Sequence, residues 1–270
     1  MSFLDEVLAL VTKRRVVYLR EAQVLMEKPP EVDHWDVTNA IRKLVTDRRL
    51  SVQRSEGYTW YFDSALSWES VEGLAGEKAA LIRSYIGHPK AFVSMPEGQR
   101  YDDFSEFMVE HALQKAGFVV LGKSTRYFNG RTYLRGPVSP GRPADLDFTA
   151  GMDGCRVCVG IQCKNLLDYP RDTAIDQLLE ISEVLQVKPM LVARIASARQ
   201  VGRIASAGGY TVMYKRWLLQ PEMEPELFKK ISDYGRGDSV LGLPVSIYRY
   251  TWEVLVGLLS NARQFLLGAN

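Results

Sequence analysis

At 270 residues, with 46% hydrophobic and 24% charged residues, the chain has a globular composition and enough length for about two cores of ordinary size. The first fifteen residues, MSFLDEVLALVTKRR, carry Asp5 and Glu6 and have no basic segment ahead of the apolar residues. No apolar run approaches the ~18 residues of a membrane span, so neither a signal peptide nor a membrane partner is expected. Three cysteines give no disulfide framework and fit a reducing, cytoplasmic setting, and a net charge of +2 leaves partners to be read from where the charges lie.

In chain order, FLDEVLALV (3–11) has helical apolar spacing and a basic end suited to the C-terminal dipole. VVYLREAQVLMEK (16–28) continues as a second helix stopped by Pro29 and Pro30. Asp33 caps a third helix that places Val37, Ile41, Leu44 and Val45 on one face. LSVQRSEGYTWYF (50–62) then alternates around Ser55-Glu56-Gly57, a hairpin signal. Three helices and a hairpin over residues 1–63 make the plan of a winged helix-turn-helix, in which the third helix enters the major groove of DNA. This segment balances ten basic against ten acidic residues, but its third helix and wing do not. Over residues 42–57, Arg42, Lys43, Arg48, Arg49 and Arg54 face only Asp47 and Glu56.

Residues 64–100 read as a connector. From 101 the pattern becomes α/β over 101–217: a helix closing at Gly117, the strand FVVLGKS, a basic loop, and the strands ADLDFTAG and RVCVGIQCKN joined by GMDG. A helix (173–188), the strand PMLVARI, a helix ending at Gly208-Gly209 and the strand YTVMYKRW follow. Residues 218–270 form a mostly helical extension whose expected role is packing on the core or a homodimer contact. Two runs contain six basic residues and no acid, 115–143 (with Arg126, Arg131, Arg135 and Arg142) and 184–217. Such runs suit a polyanion gripped beside them, so DNA, double-stranded or branched, is the expected partner. Cys155 and Cys158 form a CxxC, but no second pair follows and His34, His88 and His111 lie far off, so zinc is not expected.

Polar residues interrupt the two central strands. A strand's period of two puts Asp145 and Asp147 on one face, and likewise Gln162 and Lys164. Adjacent strands then present carboxylate, amide oxygen and ammonium together. That donor set suits a hard cation, Mg²⁺ with Mn²⁺ as the alternative, beside a lysine that orients water or steadies a phosphate.

Taken in order, FSEFMVEHALQKAGFVV, LDFTAG and VGIQCKN resemble the PD-(D/E)xK nuclease superfamily, within it the Mrr-like restriction endonucleases and archaeal Holliday-junction resolvases. The resemblance covers about residues 104–216. It implies a restriction-endonuclease-like core, a central mixed sheet flanked by helices, and metal-dependent hydrolysis of DNA phosphodiesters. Asp147 matches the family's metal-binding aspartate, and Asp145 is a second acid on the same face. Gln162 stands at the place usually held by a carboxylate, a QxK variant found among Mrr-like members, and Lys164 matches the lysine. Glu106, eleven residues before Gly117, matches the helix acid, with Glu110 as the fallback. The competing expectations are a DNA-binding protein whose nuclease-like domain is cleavage-deficient, which Gln162 favours, and a junction resolvase.

Overall fold

The computed structural model describes residues 2–28, 31–83, 101–134, 137–139, 142–152, 157–166, 169–219, 225–232, 240–243 and 245–268. The chain divides into two compact units, Met1–Met95 with Glu222–Val245, and Pro96–Pro221 with Ser246–Asn270.

In the first unit, α1 (Phe3–Arg14) starts at a capping box in which Ser2 and Asp5 exchange hydrogen bonds. The strand β1 (Val16–Tyr18) and helix α2 (Leu19–Met26) follow. Helix α3 (His34–Thr46) is capped by Asp33, whose side chain accepts from the Trp35 and Asp36 amides. The strands β2 (Leu50–Ser55) and β3 (Tyr58–Asp63) form the expected hairpin, with both turn residues at positive φ, Glu56 at 56° and Gly57 at 81°. Paired positive φ values match the right-handed twist of the strands the turn joins.

Residues 16–18 correct the expected second helix. Val16, Val17 and Tyr18 are all buried and pair antiparallel with Phe62, Tyr61 and Trp60, giving a three-stranded sheet ordered β1-β3-β2. β-Branched and aromatic residues pack better on that sheet than in a helix. Val7, Val11, Val37, Ile41 and Leu44 fill the core between the helices and the sheet.

The first part of the expected connector belongs to this unit. A 3₁₀ turn (Trp68–Ser70) leads into α4 (Glu72–Leu81), whose Lys78 is 1% exposed. Its Nζ donates to the fully buried Glu21 at 2.7 Å and to the Val16 carbonyl at 2.6 Å. Arg14 donates to the same Glu21 oxygen from 3.1 Å.

In the second unit, α5 (Tyr101–Lys115) precedes β4 (Phe118–Thr125). Four short strands then pair as two small ribbons: β5 (Tyr127–Phe128) with β6 (Arg131–Thr132), and β7 (Pro137–Ser139) with β8 (Arg142–Pro143). The central strands are β9 (Leu146–Met152) and β10 (Cys158–Lys164). Helix α6 (Asp172–Leu185) leads to β11 (Lys188–Ala193), and α7 (Ala198–Ser206) leads to β12 (Tyr210–Met213). Strand β13 (Trp217–Leu219) closes this stretch. In the C-terminal part, α8 (Pro225–Ile231) belongs to the first unit; strand β14 (Val245–Ile247) leads into α9 (Tyr248–Gly268), which packs on α5 and β12.

The sheet is mixed and five-stranded, ordered β12-β11-β10-β9-β4, with β9 antiparallel to both neighbours and β10, β11 and β12 parallel. Two helical crossovers link the parallel strands, as parallel pairing requires. Ile175, Leu178, Ile181 and Leu185 of α6 pack with Leu146, Leu191 and Ala193 of the sheet. Gly160 fits this packing because a Cβ there would lie 2.6 Å from the Leu146 Cδ1 and 2.8 Å from the Val187 Cγ2. No helix of the described residues is long and apolar enough to cross a membrane.

Candidate functional site

The β9–β10 ladder pairs Phe148 with Ile161. One residue further along, Asp147 and Gln162 meet through their side chains, the Gln162 Nε2 donating to the Asp147 Oδ2 at 2.7 Å. The same oxygen accepts the Cys163 backbone N–H at 2.5 Å. Asp145, Asp147, Gln162 and Lys164 are all half-buried, at neighbouring ends of the two strands. Burial pushes the Asp147 carboxyl up from its usual range, and the Asp145 charge pushes the same way. The Lys164 charge and the two donated hydrogen bonds pull it down, Lys164 most strongly. The strand pair thus concentrates two carboxylates against one ammonium.

The Gln162 amide meets Asp147 with its nitrogen, which leaves its oxygen as the end for a cation to use.

The helix acid divides between its two candidates. Glu110 is paired with Lys123 of β4 at 2.6 Å. Glu106 lies close enough to β10 that its charge, together with that of Asp147, raises the already buried Cys163 thiol. Glu106 is thus the α5 acid whose charge reaches β10.

The end of β10 rests on residues that the motif did not single out. Tyr214 is 4% exposed, and its hydroxyl donates to the Asn165 Oδ1 at 3.1 Å and to the Lys164 carbonyl at 3.3 Å. The Arg194 amide donates to the same carbonyl at 3.2 Å, and its Nε donates to the Leu166 carbonyl at 2.9 Å. Their sequence signal is a polar residue placed just past an apolar strand, Arg194 after PMLVA and Tyr214 after YTVM.

The basic runs fare unevenly. Arg194 is fully buried, Arg199 lies 3.8 Å from Asp172, and Arg203 is ion-paired with Asp176. The run 184–217 is acid-free along the chain but not in space, because α6 lays its acids against α7. Three of its six cations are thus buried or set beside an acid. In the first unit Arg42, Lys43, Arg48, Arg49 and Arg54 are all exposed. Two of them already meet acids, Lys43 with Asp47 at 3.3 Å and Arg49 with Asp5 at 3.2 Å. Arg42 lies over the ring of Trp35, itself 63% exposed, at 5.5 Å. Arg131 is exposed and Arg126 half-buried. Arg135, the Arg142 side chain and Cys155 lie outside the described residues.

Among the described residues, no three His, Cys, Asp or Glu side chains cluster as a metal cage. The donors at the strand ends are two carboxylates and an amide, all hard oxygens. That set fits Mg²⁺, which is held by one or two carboxylates and keeps several waters, and does not fit zinc. Compared with protein-family models, curated proteins and solved structures, the chain finds no match in any of the three.

Proposed function

We propose that the chain is a metal-dependent DNA endonuclease of the PD-(D/E)xK type, with Asp147, Gln162 and Lys164 at its centre and the first unit serving as a winged-helix DNA-binding module. The observation that carries the reading is the 2.7 Å contact between Asp147 and Gln162 across β9 and β10, with Lys164 acting electrostatically on the same carboxylate. Half-burying two carboxylates beside an ammonium is costly unless a ligand compensates them. The mixed sheet, with an antiparallel pair followed by two parallel crossovers, is compatible with the core that the motif implies.

Asp147 and Asp145 are the residues to hold Mg²⁺, with the Gln162 amide as a neutral third donor and Glu106 nearest on α5. When bound, the cation supplies Lewis-acid stabilisation of phosphate charge. Lys164 contributes a donor and a positive charge where a phosphate oxygen arrives, and its carbonyl is anchored by Tyr214 and Arg194 so that the strand end does not drift. Exposed Arg42, Arg48 and Arg54 on α3, the turn after it and β2 provide phosphate contacts for the module.

One observation favours a second reading, a DNA-binding protein with cleavage reduced or lost. The Gln162 amide nitrogen donates to the Asp147 Oδ2, and so engages a lone pair that metal binding would call on. Incubation of the purified chain with linear, supercoiled and four-way-junction DNA, with and without Mg²⁺ or Mn²⁺, separates the two. Metal-dependent strand scission supports the nuclease; DNA binding with no scission under any metal supports the second reading.

A further inference from the structure

The first unit carries a pocket of about 370 Å³ between the start of α2 and the β2–β3 hairpin, lined in part by Tyr18, Arg20, Gln23, Gly57, Tyr58 and Tyr61. Its volume sits near the lower end of the roughly 300–1,000 Å³ common for small-ligand sites, too small for a stretch of duplex. Three tyrosines give it an aromatic lining. Tyr18 and Tyr58 meet edge-on, 6.3 Å apart at 69°, and Trp60 backs both at 6.2 and 5.9 Å, so the rings are braced without stacking on one another. Arg20 adds a cation held in place by the 3.0 Å contact of its Nη1 with the His34 Nδ1, while the His34 Nε2 reaches Glu27 at 2.6 Å. Tyr18 is 8% exposed, and its buried hydroxyl has no hydrogen-bond partner among the described residues. Burial keeps that phenol protonated, and the Glu21 charge adds to the effect.

We propose that this pocket binds a single nucleotide, its base against the tyrosine rings and its phosphate towards Arg20. The inference rests on the nucleic-acid reading above for the origin of the nucleotide, though not on cleavage. A base displaced from DNA and a free mononucleotide share this chemistry, and aromatic side chains take displaced bases without regard to sequence.

The test uses the full chain in EDTA, so that no strand is cut. The probes are a duplex carrying one unpaired 2-aminopurine, the same duplex fully paired, and free 2-aminopurine deoxyribonucleoside monophosphate. Expected are quenched 2-aminopurine fluorescence and about tenfold tighter binding of the bulged duplex than of the paired one. Tyr58→Phe keeps both effects and Tyr58→Ala loses both. If Tyr58→Ala does not fold, Tyr61→Ala serves in its place. Quenching of the free monophosphate as well identifies a mononucleotide site; quenching of the bulged duplex alone identifies DNA as the source. No quenching with any probe, or unchanged quenching in a folded alanine variant, overturns the proposal. Because the quenching is read in EDTA, quenching by a chain that cuts no DNA in Mg²⁺ overturns the nuclease reading alone, and Mg²⁺-dependent cutting without quenching overturns the pocket reading alone.

Discussion

Replacing Gln162 by glutamate exchanges the donor that faces Asp147 for a second negative charge. The wild-type contact is a hydrogen bond of 2.7 Å to a carboxylate whose affinity for protons is already raised by burial and by Asp145. Losing a hydrogen bond to a charged group costs about 1.5–3 kcal/mol. Two carboxylates about 3 Å apart repel by roughly 5 kcal/mol at an effective dielectric of about 20, though side-chain relaxation or uptake of one proton removes much of that. The expected net loss for Gln162→Glu in EDTA at alkaline pH is about 3 kcal/mol, or a fall of roughly 6–12 °C in melting temperature. In acid the pair shares a proton and the loss shrinks. Added Mg²⁺ reverses it, because the variant offers the cation one more anionic oxygen, and cleavage is retained. Thermal unfolding of wild type and Gln162→Glu at two pH values, with EDTA or Mg²⁺, measures all of this. A variant as stable as wild type in alkaline EDTA, or one that Mg²⁺ fails to restore, would refute the reasoning.

Asp147→Ala is expected to abolish metal-dependent cleavage and also to cost about 2 kcal/mol in denaturant unfolding, because the Gln162 and Cys163 donors lose their acceptor. Mg²⁺ affinity, followed by calorimetry, should rise with pH as Asp147 loses its proton. Its folded pKa lies above the unfolded one, so the metal-free protein loses stability as pH rises through that window, and Mg²⁺ binding releases a proton there. Arg54→Ala and Arg42→Ala should each lower the salt slope of DNA binding by about one, measured between about 50 and 200 mM salt, whereas Arg203→Ala, whose cation is engaged by Asp176, should leave it nearly unchanged. Glu21→Gln should destabilise the first unit by about 3–5 kcal/mol in denaturant melts, since the buried Lys78 either stays charged without its partner or gives up its proton.

Much of the second unit's layout could be read from the chain. Short apolar runs separated by turn or helical stretches marked β9, β10, β11 and β12 in order, and the two-residue period put Asp145 with Asp147 and Gln162 with Lys164. Three things were not legible. Val16–Tyr18 reads as helix because a three-residue strand has too little length to show a period, and only its buried partners on β3 make it a strand. The cations of 184–217 read as open because acids 27 residues earlier, Asp172 for Arg199 and Asp176 for Arg203, are neighbours only once α6 and α7 are in place. The orientation of the Gln162 amide depends on which atom faces the Asp147 oxygen, which spacing does not specify. The pocket lined by Tyr18 and Tyr58 joins residues 40 positions apart and leaves no local pattern.

The central claim is that Asp147, Gln162 and Lys164 form one metal-dependent phosphodiester-cleaving site. Its most direct measurement is the rate at which supercoiled DNA is nicked as Mg²⁺ is titrated, for wild type, Asp147→Asn and Lys164→Ala, each first shown to be folded. Wild-type nicking is expected to saturate with Mg²⁺ and to fall to background in both variants. Wild-type rates in either folded variant, or nicking indifferent to Mg²⁺ and EDTA, would contradict it.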